Sequence, residues 1–353
     1  MQQNELKTAS VESGAFPAQP FKDKTFTLDF FNTMIRARVM EERLIKMVRT
    51  GDGYFWIGGP GEEAFNVALG KLVNKGFGLK HDFMHLHYRS NAVLLSMGQP
   101  MLDFIRQMNS KATDPFSGGR NFVSHICKKE WNVLPVTSTI ETQYSVAPGT
   151  AMAQTRAYKK GKDAGITVVV GGDAGSAEGD FASSMIWASR PGNELPLLSI
   201  VTNNGWGIST SSETQHGEKN ISDRAKAFGF KTAIVDGSHA EKAWQALSEA
   251  MRYVRETRKP FMLEVMVSRL NGHSSSSGAN RVSGESCPIA LMEKKILKQK
   301  WLEADDIKQL WKAAEVESLA ALKQAKSEDK PLASTVLDHS FVDITGGVPG
   351  RDF

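Results

Sequence analysis

The stretch that decides the fold runs Ile166-Thr167-Val168-Val169-Val170-Gly171-Gly172-Asp173-Ala174-Gly175-Ser176-Ala177-Glu178-Gly179-Asp180-Phe181. After a helical run to Arg190 it continues as Leu197-Leu198-Ser199-Ile200-Val201-Thr202-Asn203-Asn204-Gly205-Trp206-Gly207. Val168–Val170 and Leu197–Val201 are short apolar runs bounded by Gly and Pro, the pattern of strands buried on both faces of a parallel sheet. With the helix between them they form a right-handed strand–helix–strand unit, so both strands finish on the same edge. Ligands of open parallel sheets bind beyond that edge. There the first strand delivers Asp173 and the second Asn203-Asn204, next to backbone opened by Gly172 and Gly175. A carboxylate and an amide oxygen side by side suit a hard cation such as magnesium that shares its shell with phosphate. The amides after Gly172 and the start of the next helix supply donors for phosphate oxygens.

A Gly-Asp glycine loop followed, one strand later, by Asn-Asn is the signature of enzymes that bind thiamine diphosphate, and this unit resembles it throughout. The second glycine usual in that signature is Ala174 here, so the backbone at 174 must be one that accepts a Cβ. Other segments extend the likeness over about residues 30–330. Tyr88-Arg89 resembles a diphosphate-contacting pair. Gly119-Arg120 with His125 resembles a Gly-Arg…His segment, and Arg269-Leu270-Asn271-Gly272-His273-Ser274 resembles an Arg-x-x-His-His-Ser loop over the active site. Together they resemble the alpha subunit of the thiamine-dependent first component of 2-oxo acid dehydrogenase complexes. Ser176–Phe181 and Asn203–Thr210 look most like the branched-chain (2-oxoisovalerate) branch.

The resemblance implies an α/β fold: a doubly wound, mostly parallel sheet with helical N- and C-terminal extensions. It implies a cofactor, thiamine diphosphate, with Mg2+ held by Asp173, Asn204 and the main-chain oxygen of Trp206. Tyr88, Arg89, Ala174, Gly175 and His273 would lie on the diphosphate side, and His273 would also assist acyl transfer. Backbone at Ser138 and Ile140 would grip the aminopyrimidine, with the stiff Ile140 side chain as a wedge. Thr137, Thr142 and Gln143 would form a K+ site of neutral oxygens. Relatives often carry an arginine where Thr202 stands, and the loop acids that usually follow the histidine are Ser276 and Ser277 here. The implied activity is decarboxylation of a branched-chain 2-oxo acid with acyl transfer to a lipoyl group. The glutamate that activates the cofactor comes from a beta subunit in such systems, so the chain is expected to be inactive alone and to join an α2β2 assembly with a lipoyl-bearing acyltransferase. The alternatives are a pyruvate or acetoin dehydrogenase alpha subunit and a non-catalytic subunit without cofactor. A nicotinamide-binding fold is disfavoured because Gly171–Gly179 lacks Gly-x-Gly-x-x-Gly spacing.

Composition is ordinary for a soluble globular protein and does not suggest a nucleic-acid or membrane protein. The 353 residues are 41% hydrophobic and 23% charged, with a net charge of +4 and no basic cluster interleaved with aromatics. No apolar run approaches the ~20 residues needed to cross a membrane. Cys127 and Cys287 lack metal-type spacing and are expected to be free thiols, which with an acidic, signal-free N-terminus points to the cytoplasm.

Along the chain, the expected organisation is an irregular arm over 1–24, a single α/β domain over 25–335 and a tail over 336–353. Helices are expected at Leu28–Met47, from Pro60 to Gly76, at Pro100–Asn109, Ala147–Lys159 and Ala240–Arg258, with strands at Thr232–Gly237 and Phe261–Val267. Ser138 or Thr139 reads as a helix N-cap. Glu62 and Glu63 either stabilise a helix start or turn a carboxylate into the cleft. His85 and His87 have no matching metal-ligand set. The Ser/Gly-rich run from Ser274 to Ser286 reads as flexible, and the charged helical remainder from Ile289 as peripheral.

Overall fold

In the computed structural model, residues 19–157 and 164–338 are described. Most of the N-terminal arm, the expected helix end at Lys159 and most of the C-terminal tail lie outside them. Among the described residues seven strands occur: β1 (Phe83–His85), β2 (Thr167–Gly172), β3 (Leu197–Asn203), β4 (Trp206–Gly207), β5 (Thr210–Ser211), β6 (Lys231–Asp236) and β7 (Phe261–Met266). Five of them form one parallel sheet in the order β1-β2-β3-β7-β6, and β4 and β5 form a small antiparallel ribbon.

The alternation of side chains explains the near-continuous apolar strands. Val168, Val170, Leu198, Ile200, Leu263 and Val265 join the main core with the helices Lys24–Arg49, Glu63–Leu72 and Ala240–Thr257. Val169, Leu197, Val201 and Met262 face the other way, into a second core with the helices Thr142–Ala157 and Gly179–Ala188. Both faces of the sheet are therefore dry, as the doubly wound arrangement requires.

One strand was not foreseen, and three local expectations are corrected. Strand β1 is too short to show a period; it exists because Met84 pairs with Val168 on the edge of β2. The helix after Pro60 starts only at Glu63, because the chain first turns at Gly61 (φ +113°), where a Cβ would meet the Ser268 carbonyl at 2.2 Å. The small-residue helix starts at Thr142 rather than Ala147, so neither Ser138 nor Thr139 is its N-cap. The C-terminal helix Ala304–Ser327 is not simply peripheral. It buries Ala314, Ala321 and Ala325, and a bidentate Arg36–Glu317 pair (2.8 and 2.6 Å) joins it to the first long helix.

The helix Lys24–Arg49 carries a buried acid into the core near the site. Glu41 accepts from Trp56 Nε1 at 2.8 Å and from Asn91 Nδ2 at 3.0 Å. Burial pushes its carboxyl up to about 7, against the bonds from Trp56 and Asn91. A raised folded-state value means that the unfolded chain ionises first. Stability is then full below about 4.5 and is lost as pH rises through about 7. Glu41→Gln should flatten this loss, which reaches about 1.4 kcal/mol per pH unit for one proton. Urea unfolding of wild type and variant across that window reads it; parallel profiles would contradict the assignment.

Candidate cofactor site

The register of β2 and β3 brings the carboxylate and the amide to one place. Gly172 pairs with Thr202, so Asp173 and the Asn203-Asn204 pair leave the sheet as neighbours. The Trp206–Gly207 strand folds back over Ala174: a Cβ on Gly207 would lie 2.5 Å from the Ala174 Cβ. Ala174 does not have a positive φ, so the missing glycine costs the backbone nothing, and Gly207 leaves room for its methyl group. Residues Ala174–Ala177 form a 3-10 turn, which separates the strand from the helix start at Gly179.

Asp173 is 1% exposed, yet neither carboxylate oxygen has a hydrogen-bond partner. Burial raises its carboxyl above the usual range, while Arg89 and His216 pull it down. Asn204 Oδ1 accepts from the Trp206 amide at 3.0 Å and keeps a second lone pair. A buried, unpartnered carboxylate with an amide oxygen beside it fits a divalent cation whose remaining ligands come from phosphate. Among the described residues no group of three or more His, Cys, Asp or Glu could hold a metal by itself, so such an ion needs those outside ligands.

Arg89 is the cation of the site and is itself buried. Its Nη2 donates to His273 Nδ1 at 3.3 Å, its Nε lies 4.0 Å from Glu62, and its guanidinium is 5.4 Å from the Tyr88 ring centroid. Tyr88 meets the His273 ring edge-on, with centroids 6.0 Å apart. Tyr88, Arg89 and His273, distant in sequence, are thus brought together. The Glu62/Glu63 alternatives divide: Glu62 turns toward Arg89, and Glu63 pairs with Arg38 at 2.7 Å. Burial, with Arg89 and Arg269, lowers His273 to about 4, so the ring is neutral at physiological pH. With Nδ1 accepting, its Nε2 carries the proton and is a donor.

The loop that carries His273 is held more firmly than its serine content suggested. Ser274 bridges to Ile57, the Ser275 amide donates to the Trp56 carbonyl at 2.8 Å, and Gly272 bonds Asn280. His125 Nε2 accepts from Ser138 Oγ at 2.6 Å, because its Nδ1 is used by the Val123 carbonyl. Ile140 is half-buried against the main core. Gln143 Nε2 donates to Val170 while its Oε1 is buried without a partner. Thr137 Oγ1 accepts from the Thr139 amide and Thr142 Oγ1 donates to the Thr139 carbonyl, and each hydroxyl oxygen keeps a lone pair.

Glu141 was not foreseen as a site residue. It is 1% exposed, has φ +63°, and both carboxylate oxygens are unpartnered. Burial raises its carboxyl to about 8. It lies under the glycine loop: a Cβ on Gly175 would be 2.1 Å from its Oε1, and one on Gly171 2.5 Å from its Oε2. A lone charge in the neutral run Thr137–Gln143 was the available signal. His216 was also missed; it belongs to the loop after β5 and is felt by Asp173.

The fold is thus a parallel α/β subunit whose polar cleft opens where β2 and β3 end. This chain belongs to the Dehydrogenase E1 component family, which matches residues 31–334. Members are thiamine diphosphate-dependent oxidoreductases, components of 2-oxo acid dehydrogenase complexes in which an alpha subunit works with a beta subunit. It is similar to the alpha subunit of 2-oxoisovalerate dehydrogenase from Bacillus subtilis (strain 168), 29% identical over 89% of this chain and 94% of that one. The mitochondrial alpha subunit of the same enzyme from Caenorhabditis elegans is 31% identical, over 90% and 74%. The one from Mus musculus is 26% identical, over 92% and 72%.

The packing of Glu141 under the glycines gives a test by double substitution. Gly175→Ala alone should cost about 1–3 kcal/mol by overpacking. Glu141→Ala in the same chain should recover most of that, a coupling readable in denaturant unfolding. Strictly additive costs would show that the two residues do not press on one another.

Proposed function

We propose that this chain is the alpha subunit of a branched-chain 2-oxo acid dehydrogenase, acting on 2-oxoisovalerate and similar acids with a lipoyl acceptor. The alpha subunits named for 2-oxoisovalerate dehydrogenase, similar along nearly the whole chain, support this substrate class. The single structural observation that carries the cofactor part is the buried Asp173 carboxylate, unpartnered beside Arg89. Arg89 attracts an anion to this place and Asp173 repels it. A diphosphate with Mg2+ satisfies both, the ion taken by Asp173, Asn204 and the Trp206 main-chain oxygen.

Bound there, thiamine diphosphate supplies the electron sink for decarboxylation. The chain's own residues do the rest. Arg89 and the Ala174 and Gly175 amides hold the phosphate oxygens. Neutral His273 donates from Nε2 and stands ready to pass a proton during acyl transfer. Ser138, Ile140 and their backbone set the position of the pyrimidine end. Gln143 Oε1, with the hydroxyl oxygens of Thr137 and Thr142, would hold a K+ ion.

Exposed apolar side chains, Phe122, Trp206 and Ile208, surround the site and suit a beta subunit that closes it in an α2β2 assembly. The two free cysteines fit the reducing cytoplasm. The accommodation of Ala174 by Gly207 removes one reason to read the chain as a subunit that has lost its cofactor.

The chain alone should not decarboxylate 2-oxoisovalerate. With its beta subunit it should, with kcat/KM well above that for pyruvate. Asp173→Asn in the assembled protein should lower turnover by at least about a hundredfold through loss of the ion (a loss of roughly 2.7 kcal/mol or more). Robust turnover by the chain alone would remove the partner requirement, and preference for pyruvate would reassign the substrate.

A further inference from the structure

His87 lies on β1's exit, next to Tyr88-Arg89, and nothing in the reading above uses it. It is 4% exposed, and its ring lies against that of Tyr88 with centroids 3.8 Å apart and the planes tilted by 37°. Its Nδ1 accepts from the Arg89 main-chain amide at 3.4 Å. A ring nitrogen that accepts has no hydrogen, so the proton of the neutral ring sits on Nε2. Nε2 has no hydrogen-bond partner among the described residues.

The position of that free donor is defined by Gly172, the residue before Asp173. A Cβ on Gly172 would meet three atoms: Arg89 Nη1 at 3.4 Å and His87 Cε1 and Nε2 at 3.9 Å. The same spot at the end of β2 is therefore flanked by a guanidinium nitrogen and an imidazole N–H. Arg89 fixes both imidazoles beside it in one tautomer. Its main chain donates to His87 Nδ1 and its side chain donates to His273 Nδ1. Two neutral rings that contact one arginine through Nδ1 thus each carry their N–H on Nε2. Acceptors with several lone pairs and negative charge are the chemistry that matches three clustered donors.

We propose that His87 is a further cofactor-binding residue, its Nε2–H donating to the diphosphate that Arg89 and His273 hold. This rests on the reading of the site as one for thiamine diphosphate. It adds that the anion is gripped by a neutral donor from the segment after β1 as well as by the arginine. A neutral donor adds a hydrogen bond to the anion without adding another charge beside the buried Arg89.

Two substitutions separate the donor from the ring. His87→Phe keeps an aromatic ring on Tyr88 and removes the N–H; His87→Gln removes the ring and keeps an N–H of similar reach. Binding is measured by calorimetry on the assembled alpha–beta protein, with thiamine diphosphate and Mg2+ and, separately, with inorganic pyrophosphate and Mg2+. The Phe variant should bind both ligands about tenfold or more weakly, the scale of a hydrogen bond to a charged group. The Gln variant should stay within about threefold of wild type. Equal binding by wild type and the Phe variant overturns the proposal. So does equal weakening of both variants, or weakening with thiamine diphosphate but not with pyrophosphate. If wild type itself bound neither ligand, it is the assignment of the site that would fail. Circular dichroism of each cofactor-free variant confirms that a lost affinity is not a lost fold.

Discussion

A carboxylate buried without a partner is the constraint around which this molecule is arranged. An ionised group removed from water is costly unless charge or hydrogen bonds replace the water. Neither Asp173 carboxylate oxygen has a hydrogen-bond partner, and the charge that offsets its burial is that of Arg89 and His216. The chain keeps the group there by strand geometry alone. Parallel pairing of β2 with β3 forces residue 173 and residues 203 and 204 to the same edge, and two dry cores hold the sheet that does so. On the proposed reading, a cation and an anion together would supply what the protein does not.

The surrounding residues are chosen by space as much as by charge. Gly171 and Gly175 accommodate Glu141, Gly172 leaves a gap that Arg89 and His87 border, and Gly207 leaves room for Ala174. The glycines are therefore not only sources of turns. At Gly171, Gly175 and Gly207 a neighbour's polar or methyl group occupies the volume of a missing Cβ, whereas Gly172 keeps its neighbours at ordinary contact distance. This also explains how the pattern tolerates alanine at 174 while the backbone keeps an ordinary conformation there.

Much of the site was legible because it is local in sequence. Asp173 and the Asn203-Asn204 pair announce themselves as the ends of two apolar runs, and Tyr88-Arg89 and His273 came from the resemblance to a family whose membership the chain shares. What was not legible depends on contacts across the fold. β1 has three residues and exists through its pairing with β2. The Ser274 loop looked loose by composition, but its order comes from Trp56 and Ile57, more than two hundred positions away. Glu141 points under the glycine loop only because its backbone takes φ +63°, which no propensity announces. His87 was weighed only as a metal ligand, since its free nitrogen is defined by the amide of a residue two positions on.

The most direct measurement of the central claim is the position of the ion. Crystals of the alpha–beta protein grown with thiamine diphosphate and Mn2+ in place of Mg2+ allow the metal to be located by anomalous scattering. The account places one peak about 2.0–2.3 Å from an Asp173 carboxylate oxygen and at a similar distance from Asn204 Oδ1, with diphosphate oxygens completing the shell. A peak elsewhere in the chain, or bound cofactor with no metal between it and Asp173, would contradict it.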